Sequence, residues 1–208
     1  MNLKVPQWLL WAREIQAIAQ TGNTYAHDDY QRERYQRLQE IAAEMIAFHT
    51  QYPQNEIVPA FDIQKGYATP KVDVRSAVFQ DQKLLFVREI ADGGWTLPGG
   101  WADVGDVPSQ AAEREVLEES GYIVRANRVI GIYDANRSGP LELFHAYKIV
   151  FLCELLGGAP MPGMETSAVG FFSLDELPER LSGERTLPRH IQDAFACLNN
   201  PDLRTVFD

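Results

Sequence analysis

The chain has little cysteine, a shortage of positive charge and no long apolar run. Only Cys153 and Cys197 occur among its 208 residues, and because they lack metal or redox spacing we expect reduced core residues. Nineteen Lys and Arg stand against 29 Asp and Glu, which gives a formal net charge of −10. Nucleic acid polymers are bound through Lys and Arg on their phosphates, so this balance argues against such a partner.

The apolar residues are also distributed in a way that argues against a membrane protein. No stretch approaches the roughly 20 apolar residues of a membrane-spanning helix, and the first residues lack a signal-like apolar core. We therefore expect a cytoplasmic location and no membrane partner. The hydrophobic content of 45% suffices for a proper core, and the length allows a medium domain with a small appendage.

The most informative segment, residues 100–122, reads GWADVGDVPSQAAEREVLEESGY. Pro108 suits the first turn of a helix, where its missing N–H is not needed. Gly121 suits the left-handed residue that ends one. The pattern therefore predicts a helix over residues 108–120.

Three glutamates of this predicted helix share one face. Glu115, Glu118 and Glu119 occupy positions i, i+3 and i+4, so they lie within about 6 Å along the helix axis. Like charges at this spacing repel one another unless a cation neutralises them. Carboxylate oxygens are the ligands that Mg²⁺ and Mn²⁺ prefer, so the face suits a divalent-metal site.

The whole segment resembles the signature of the Nudix hydrolases, in which a glycine, an acid and an Arg-Glu-apolar-x-Glu-Glu-x-Gly-apolar run stand at fixed offsets. The matching positions are Gly100, Asp106, Arg114, Glu115, Val116, Glu118, Glu119, Gly121 and Tyr122. Two of them depart from the usual residues. Asp106 stands where glutamate is usual and Tyr122 where an aliphatic is usual, and neither change removes a metal ligand.

The resemblance implies a fold, a cofactor and a set of roles. The fold would be of the α/β (α+β) class, an α/β/α sandwich with a mixed sheet. Glu115, Glu118, Glu119 and the carbonyl of Gly100 would bind Mg²⁺, with Mn²⁺ as an alternative, and Arg114 would orient a glutamate of the same helix or loop. Asp106 would be structural, near the start of the helix.

The base that activates water is the least certain role. Nudix relatives often place a glutamate just before the strand written VGFF, where this chain has Ala168. The nearest acid is Glu165, which is a candidate for a ligand or base, and otherwise Glu118 or Glu119 would serve.

Two further residues are candidates for contact with substrate. Arg88 ends a predicted strand and could bind a phosphate, although a solvated arginine at a strand end fits equally well. His145 lies within the predicted strand LELFHAYKIVF, where a wall residue is the more common role than a general base.

Two amphipathic patterns precede the catalytic region. They predict helices over residues 6–21 and 28–49, with Gly22 as a stop signal and residues 51–69 as a linker. The hairpin resembles the N-terminal domain of a Nudix branch that includes CDP-choline pyrophosphatase and UDP-X diphosphatase. We therefore predict an N-terminal helical domain at 1–57 and a Nudix hydrolase domain at 58–208.

The remaining pattern predicts strands and closing helices. Strands are expected over residues 72–80 and 83–89 with a turn at Asp81 and Gln82, and then near 123–133, 143–155 and 168–173. Turns are expected at 137–139 and 157–160, and helices over 174–181 and 187–199.

The expected activity is cleavage of the pyrophosphate in a nucleoside diphosphate linked to X, giving a nucleoside monophosphate and phosphorylated X. CDP-choline is the favoured substrate because the N-terminal half resembles that branch. The alternatives are ADP-ribose or a nucleotide sugar, and a non-catalytic Nudix ligand sensor. The apolar surface of the hairpin also predicts a homodimer.

Overall fold

The computed structural model describes residues 6–62, 65–135, 145–183 and 185–208. These residues fall into two compact units. One holds the described residues up to Pro70 together with His145, and the other holds the described residues of 71–135 and 146–208. We refer to them as the N-terminal unit and, after the activity expected from its sequence, the catalytic unit.

The N-terminal unit consists of three helices, α1 (Gln7–Tyr25), α2 (Asp29–His49) and α3 (Gln54–Asp62). The side chain of Asp28 accepts a hydrogen bond from the Gln31 N–H and so caps α2. The helices share one core, which contains the buried residues Leu9, Ala12, Ala42, Ala43, Ile46, Ile57 and Phe61.

Small residues decide which faces of α1 and α2 are buried. Gly22 does not end α1, which continues to Tyr25. Its role is to make room for Tyr35, because a Cβ at this position would lie 2.2 Å from the Tyr35 ring. Large apolar side chains do not mark these faces. Leu10, Ile18 and Phe48 are exposed, whereas alanines and glutamines occupy much of the buried surface.

Helix α3 occupies part of the segment that was predicted to be a linker. Ile57 and Phe61 are each 2% exposed and pack in the core of the N-terminal unit, with Pro59 inside the helix. The domain boundary predicted between residues 57 and 58 falls within α3, whereas the structure divides after Pro70.

The catalytic unit is built on one mixed sheet. Its elements are β1 (Lys71–Gln80), β2 (Lys83–Glu89), β3 (Trp95–Thr96), α4 (Pro108–Ser120), β4 (Tyr122–Asp134), β5 (Ala146–Gly158), β6 (Thr166–Phe172), a 3₁₀ turn (Leu174–Glu176), α5 (Pro188–Asn199) and β7 (Val206–Phe207). The strand order is β3-β2-β1-β5-β4-β7, and β6 pairs with β2. Strands β1 and β5 are parallel, as are β4 and β7, and the other pairs are antiparallel.

The two faces of the sheet carry separate cores. Ala77, Leu84 and Phe86 pack in a cluster with Ile191 and Phe195 of α5. Val74, Val78 and Leu85 pack in a second cluster with Ala112 and Val116 of α4. Because side chains alternate between faces along a strand, β1 and β2 serve both cores. The predicted α/β/α sandwich is thus confirmed.

Local signals located several elements well. Asp81 and Gln82 have φ values of 50° and 61°, as expected for a two-residue turn between β1 and β2. Helix α4 begins at Pro108 and ends at Ser120, as predicted, and Gly121 follows with a φ of 75°.

Other predictions need correction. The helix predicted over 174–181 is only a 3₁₀ turn, and α5 starts at Pro188, where His190 Nδ1 accepts the Leu187 N–H. Strand β5 begins at Ala146, so His145 precedes the strand instead of lying within it. The turn predicted at 137–139 lies outside the described residues. Both cysteines are buried and free, as predicted.

Membrane insertion receives no support from the helices. In the described parts of the chain, none of them combines the length and apolar character needed to cross a bilayer.

Gly121→Ala should destabilise the catalytic unit, because φ is +75° and the new Cβ would lie 2.5 Å from the carbonyl oxygen of Ala159. We expect the free energy of unfolding in urea to fall by at least about 1–2 kcal/mol. Gly157→Ala is the matched control, since its Cβ would meet nothing within 4 Å. Equal stability of the two variants would contradict this account.

Candidate active site

One pocket of about 760 Å³ is lined by eight charged residues of the catalytic unit. The glutamates that line it are Glu89, Glu115, Glu118, Glu119 and Glu165, and the arginines are Arg75, Arg114 and Arg185. Gly100 also lines it. Two predicted site residues, Arg88 and His145, are not among the described residues that line the pocket.

The loop before α4 is held by backbone pairing with β1. The Val74 N–H donates to the Gly100 carbonyl at 2.8 Å, and the Ser76 N–H donates to the Pro98 carbonyl at 2.9 Å. Gly99 has a φ of 145°, and a Cβ there would lie 2.0 Å from the Val74 carbonyl oxygen. The close approach therefore requires glycine. The Gly100 carbonyl keeps one lone pair for a further partner.

Glu119 is the most buried carboxylate that α4 contributes. Its side chain accepts a hydrogen bond from the Gly99 N–H at 2.9 Å, and its backbone carbonyl accepts one from Thr166 Oγ1. Burial raises the pKa of Glu119 to about 7, against the opposing effects of Arg75 and the Gly99 N–H. A carboxyl group with this pKa can hold or release a proton near neutral pH.

Glu115 and Glu118 differ from Glu119 in exposure. The Glu115 carboxylate lies against Gly100, where an added Cβ would meet its Oε2 at 3.0 Å. Burial raises the pKa of Glu115, with Arg114 acting in the opposite direction. The Glu118 side chain is 59% exposed. The three glutamates thus reach from the solvent to the interior of the unit.

Arg114 lies among three carboxylates. Its Nη2 is 2.9 Å from Asp106 Oδ2 and 3.3 Å from Glu115 Oε1, and its Nη1 is 3.9 Å from Glu118 Oε2. Asp106 also accepts the Asp103 N–H and does not line the pocket. Arg114 thus connects Asp106 to two glutamates of α4.

A buried ion triad lies beside the pocket and was missed by the sequence reasoning. Arg75 donates Nε and Nη2 to the two oxygens of Asp73, each at 2.9 Å, and Lys148 Nζ lies 3.1 Å from Asp73 Oδ1. Burial alone would raise the pKa of Asp73, but Arg75 and Lys148 outweigh it and hold that pKa below its ordinary value. The available signal was the pair of opposite charges at i and i+2 in an apolar strand.

Glu89 and Arg185 were also missed. Arg185 Nε lies 3.3 Å from Glu89 Oε1, and Glu89 is 4% exposed at the end of β2. Glu165, which the sequence did suggest, precedes β6, and its carbonyl accepts the Ile90 N–H. Arg88 is exposed, and its Nε donates to the Gly93 carbonyl.

The pocket glutamates and the Gly100 carbonyl are chemically suited to bind a hard divalent cation. Their donors are carboxylate and carbonyl oxygens, and Gly100 leaves open the space beside Glu115 that a side chain would fill. Within the described ranges, no three Asp, Glu, His or Cys side chains converge as the ligands of an ion would. Arg114 lies beside two of the glutamates and offsets part of their repulsion.

Two family models together span most of the chain. Residues 69–193 match the NUDIX domain, and residues 6–61 match a domain described as UDP-X-like, N-terminal oligomerisation domain. The first match covers more than half of the chain. The chain belongs to the Nudix family.

Individual relatives agree with this assignment. YjhB of Bacillus subtilis (strain 168), whose assigned ADP-ribose pyrophosphatase activity is itself provisional, is 39% identical over 203 residues, 97% of each chain. The crystal structure of an ADP-ribose pyrophosphatase from Streptococcus suis 89-1591 is 41% identical with a TM-score of 0.62, over 67% of this chain and 100% of that one. A UDP-X diphosphatase structure is 30% identical with a TM-score of 0.62, over 99% of this chain and 100% of that one. This Nudix protein is therefore a hydrolase of the pyrophosphatase class, as predicted.

Glu119→Gln should stabilise the Nudix protein in EDTA at pH 8. The unfolded carboxyl group ionises near 4.5 and the folded one near 7, so the stability it contributes is complete below about pH 4.5 and lost as pH rises through 7. Glutamine avoids burying that charge and should raise the free energy of unfolding by about 1–3 kcal/mol at pH 8. Urea unfolding from pH 5 to 8 measures the difference, which should shrink toward pH 5.

Glu118→Gln is the control for this experiment, because the exposed Glu118 side chain carries no comparable burial cost. A Glu119→Gln effect that does not change with pH would contradict the buried ionisation.

Proposed function

We propose that the protein hydrolyses the pyrophosphate of a nucleoside diphosphate linked to X with the help of a divalent metal ion. The products are a nucleoside monophosphate and phosphorylated X. The observation that carries the proposal is that Glu115, Glu118, Glu119, Glu165 and Gly100 all line one pocket. The family membership supports the reaction class.

Glu115, Glu118, Glu119 and the Gly100 carbonyl are the residues that would hold Mg²⁺, or Mn²⁺ in its place. A bound ion of this kind neutralises phosphate oxygens and lowers the pKa of a water. Arg114 orients the Glu115 and Glu118 carboxylates through its ion pairs. Glu119 and Glu165 are the candidates to accept the proton of the attacking water, and the raised pKa of Glu119 supports its candidacy.

The substrate we place first is ADP-ribose. YjhB and the Streptococcus suis protein carry that activity in their names and are each about two-fifths identical to this chain. CDP-choline, which the N-terminal resemblance favoured, and UDP-linked compounds follow, because the UDP-X diphosphatase structure spans nearly the whole chain. A purely ligand-sensing role is the remaining alternative, and turnover of any of these compounds excludes it.

A hydrolysis screen tests this proposal directly. ADP-ribose, CDP-choline, CDP-ethanolamine and UDP-sugars are supplied with Mg²⁺ or Mn²⁺, and the nucleoside monophosphate is measured. We expect one class to be turned over, no activity in EDTA and recovery on adding the metal. Metal-independent turnover, or none with any compound, would reject the proposal.

The metal-site variants should separate chemistry from folding. Glu118→Gln and Glu119→Gln keep the side-chain shape but remove a charge from the site, so kcat should fall at least about 10²-fold. Asp106→Asn is the matched acid-to-amide variant, and it should be milder because Asp106 does not line the pocket. Near wild-type turnover in both glutamine variants at saturating Mg²⁺ would remove these residues from the site.

We further propose a homodimer formed through α1. Trp11 and Ile18 lie two turns apart on α1 and are each 54% exposed, and Leu10 is 44% exposed beside them. A second copy would cover this apolar surface, and the description of the matching N-terminal domain supports oligomerisation. A cytoplasmic location stays a prediction from the composition.

The dimer proposal predicts that introducing charged residues on the exposed face of α1 lowers the molecular mass in solution. Light scattering of the full chain should give twice the monomer mass, and Trp11→Glu with Ile18→Glu should give the monomer. Leu156→Glu is the control, because Leu156 is exposed to a similar extent (53%) in the catalytic unit. A monomeric wild type, or an α1 double variant that remains dimeric, speaks against this interface.

A further inference from the structure

Three arginines line the pocket, and they differ in how many of their N–H donors are already paired with protein groups. Arg75 is 3% exposed, and its guanidinium donates twice to Asp73 and once to the Leu97 carbonyl. Arg114 lies within 3.9 Å of three carboxylates. Neither arginine has much capacity left for an incoming anion.

Arg185 is the least occupied of the three. Its Nε faces the Glu89 carboxylate at 3.3 Å, and its Nη1 donates to Ser182 Oγ at 3.2 Å and lies 3.9 Å from Asp92 Oδ2. In the described parts of the chain, Nη2 has no hydrogen-bond partner, and the side chain is 35% exposed. A partly exposed guanidinium edge on the pocket can therefore receive an anion.

The backbone around Arg185 is fixed in place. The buried Lys148 donates to the Arg185 carbonyl at 2.8 Å. On the next residue, Thr186 Oγ1 accepts the Leu97 N–H at 2.9 Å and lies 2.8 Å from Thr96 Oγ1. These contacts fix the backbone from which the Arg185 side chain extends, so binding an anion has to order only the side chain.

We propose that Arg185 binds a phosphoryl group of the substrate pyrophosphate and sets the affinity for it. The inference rests on the proposed function for the identity of the substrate. The glutamates that line the pocket outnumber its arginines and would repel a pyrophosphate. A positively charged side chain with unused N–H donors would therefore be needed in addition to the metal ion. Guanidinium groups match phosphate oxygens with two parallel hydrogen bonds.

The test uses methylenediphosphonate, a base-free pyrophosphate analogue whose P–C–P bridge resists hydrolysis. Calorimetry on the full chain at fixed Mg²⁺ and ionic strength should show binding weakened about tenfold to a hundredfold by Arg185→Gln. Arg185→Lys keeps the charge but loses the fork, so it should weaken binding by about threefold to tenfold. In substrate assays KM should rise in Arg185→Gln while kcat stays within about threefold.

Two other arginines provide the comparison. Arg125→Gln removes an exposed charge that pairs with Glu154 and should bind the analogue like the wild type. Arg88→Gln tests the phosphate role suggested by the sequence and should also leave binding unchanged. A loss confined to Arg88→Gln, or wild-type binding by Arg185→Gln, would overturn the proposal.

The outcome is decidable even if one variant does not fold. Should Arg185→Gln unfold, Arg185→Lys decides alone, since a loss of about threefold or more supports the role and unchanged binding refutes it. The binding measurement does not require turnover. If no substrate is hydrolysed the proposed function fails separately, whereas turnover with an indifferent Arg185 rejects only this inference.

Discussion

The buried carboxylate of Asp73 connects the segments that form the pocket. Arg75 pairs with both of its oxygens and also donates to the Leu97 carbonyl. Lys148 pairs with Asp73 and also donates to the Arg185 carbonyl. Removing one partner of a buried ion pair costs about 3–5 kcal/mol, because an uncompensated charge remains. The triad therefore ties two segments that are distant in sequence, at Leu97 and at Arg185, to β1 and β5.

The pocket itself works against folding. Burial raises the pKa of Glu89, Glu115 and Glu119, so their ionised forms are disfavoured in the folded chain. Packing in the two cores of the sheet offsets this cost in the free energy of folding. Arg75 carries part of the compensation, since it attracts each of these glutamates without leaving the triad. The buried triad and the acidic pocket are thus one electrostatic system.

Sequence reasoning succeeded where local rules decide the structure. The bounds of α4, the turn at Asp81 and Gln82 and the placing of three glutamates on one face follow from proline, glycine and helical spacing. It failed where the partner comes from elsewhere in the chain. Lys148 meets Asp73 only because β1 and β5 pair in parallel at that register, and Arg185 reaches Glu89 only through the tertiary fold. Likewise, alanines and glutamines fill much of the buried surface of α1 and α2, so large apolar residues did not mark the buried faces.

The charge balance of the pocket couples substrate binding to the metal. Five glutamates line it against three arginines, of which Arg75 is committed to Asp73 and Arg114 is shared among acids. A pyrophosphate brings further negative charge, so its approach without a cation would be repelled by the same carboxylates that suit a metal ion. In the function we propose, the metal would therefore govern affinity as well as rate. Among the protein's own side chains, Arg185 is then the one that holds the anion, because its N–H donors are the least used by carboxylates.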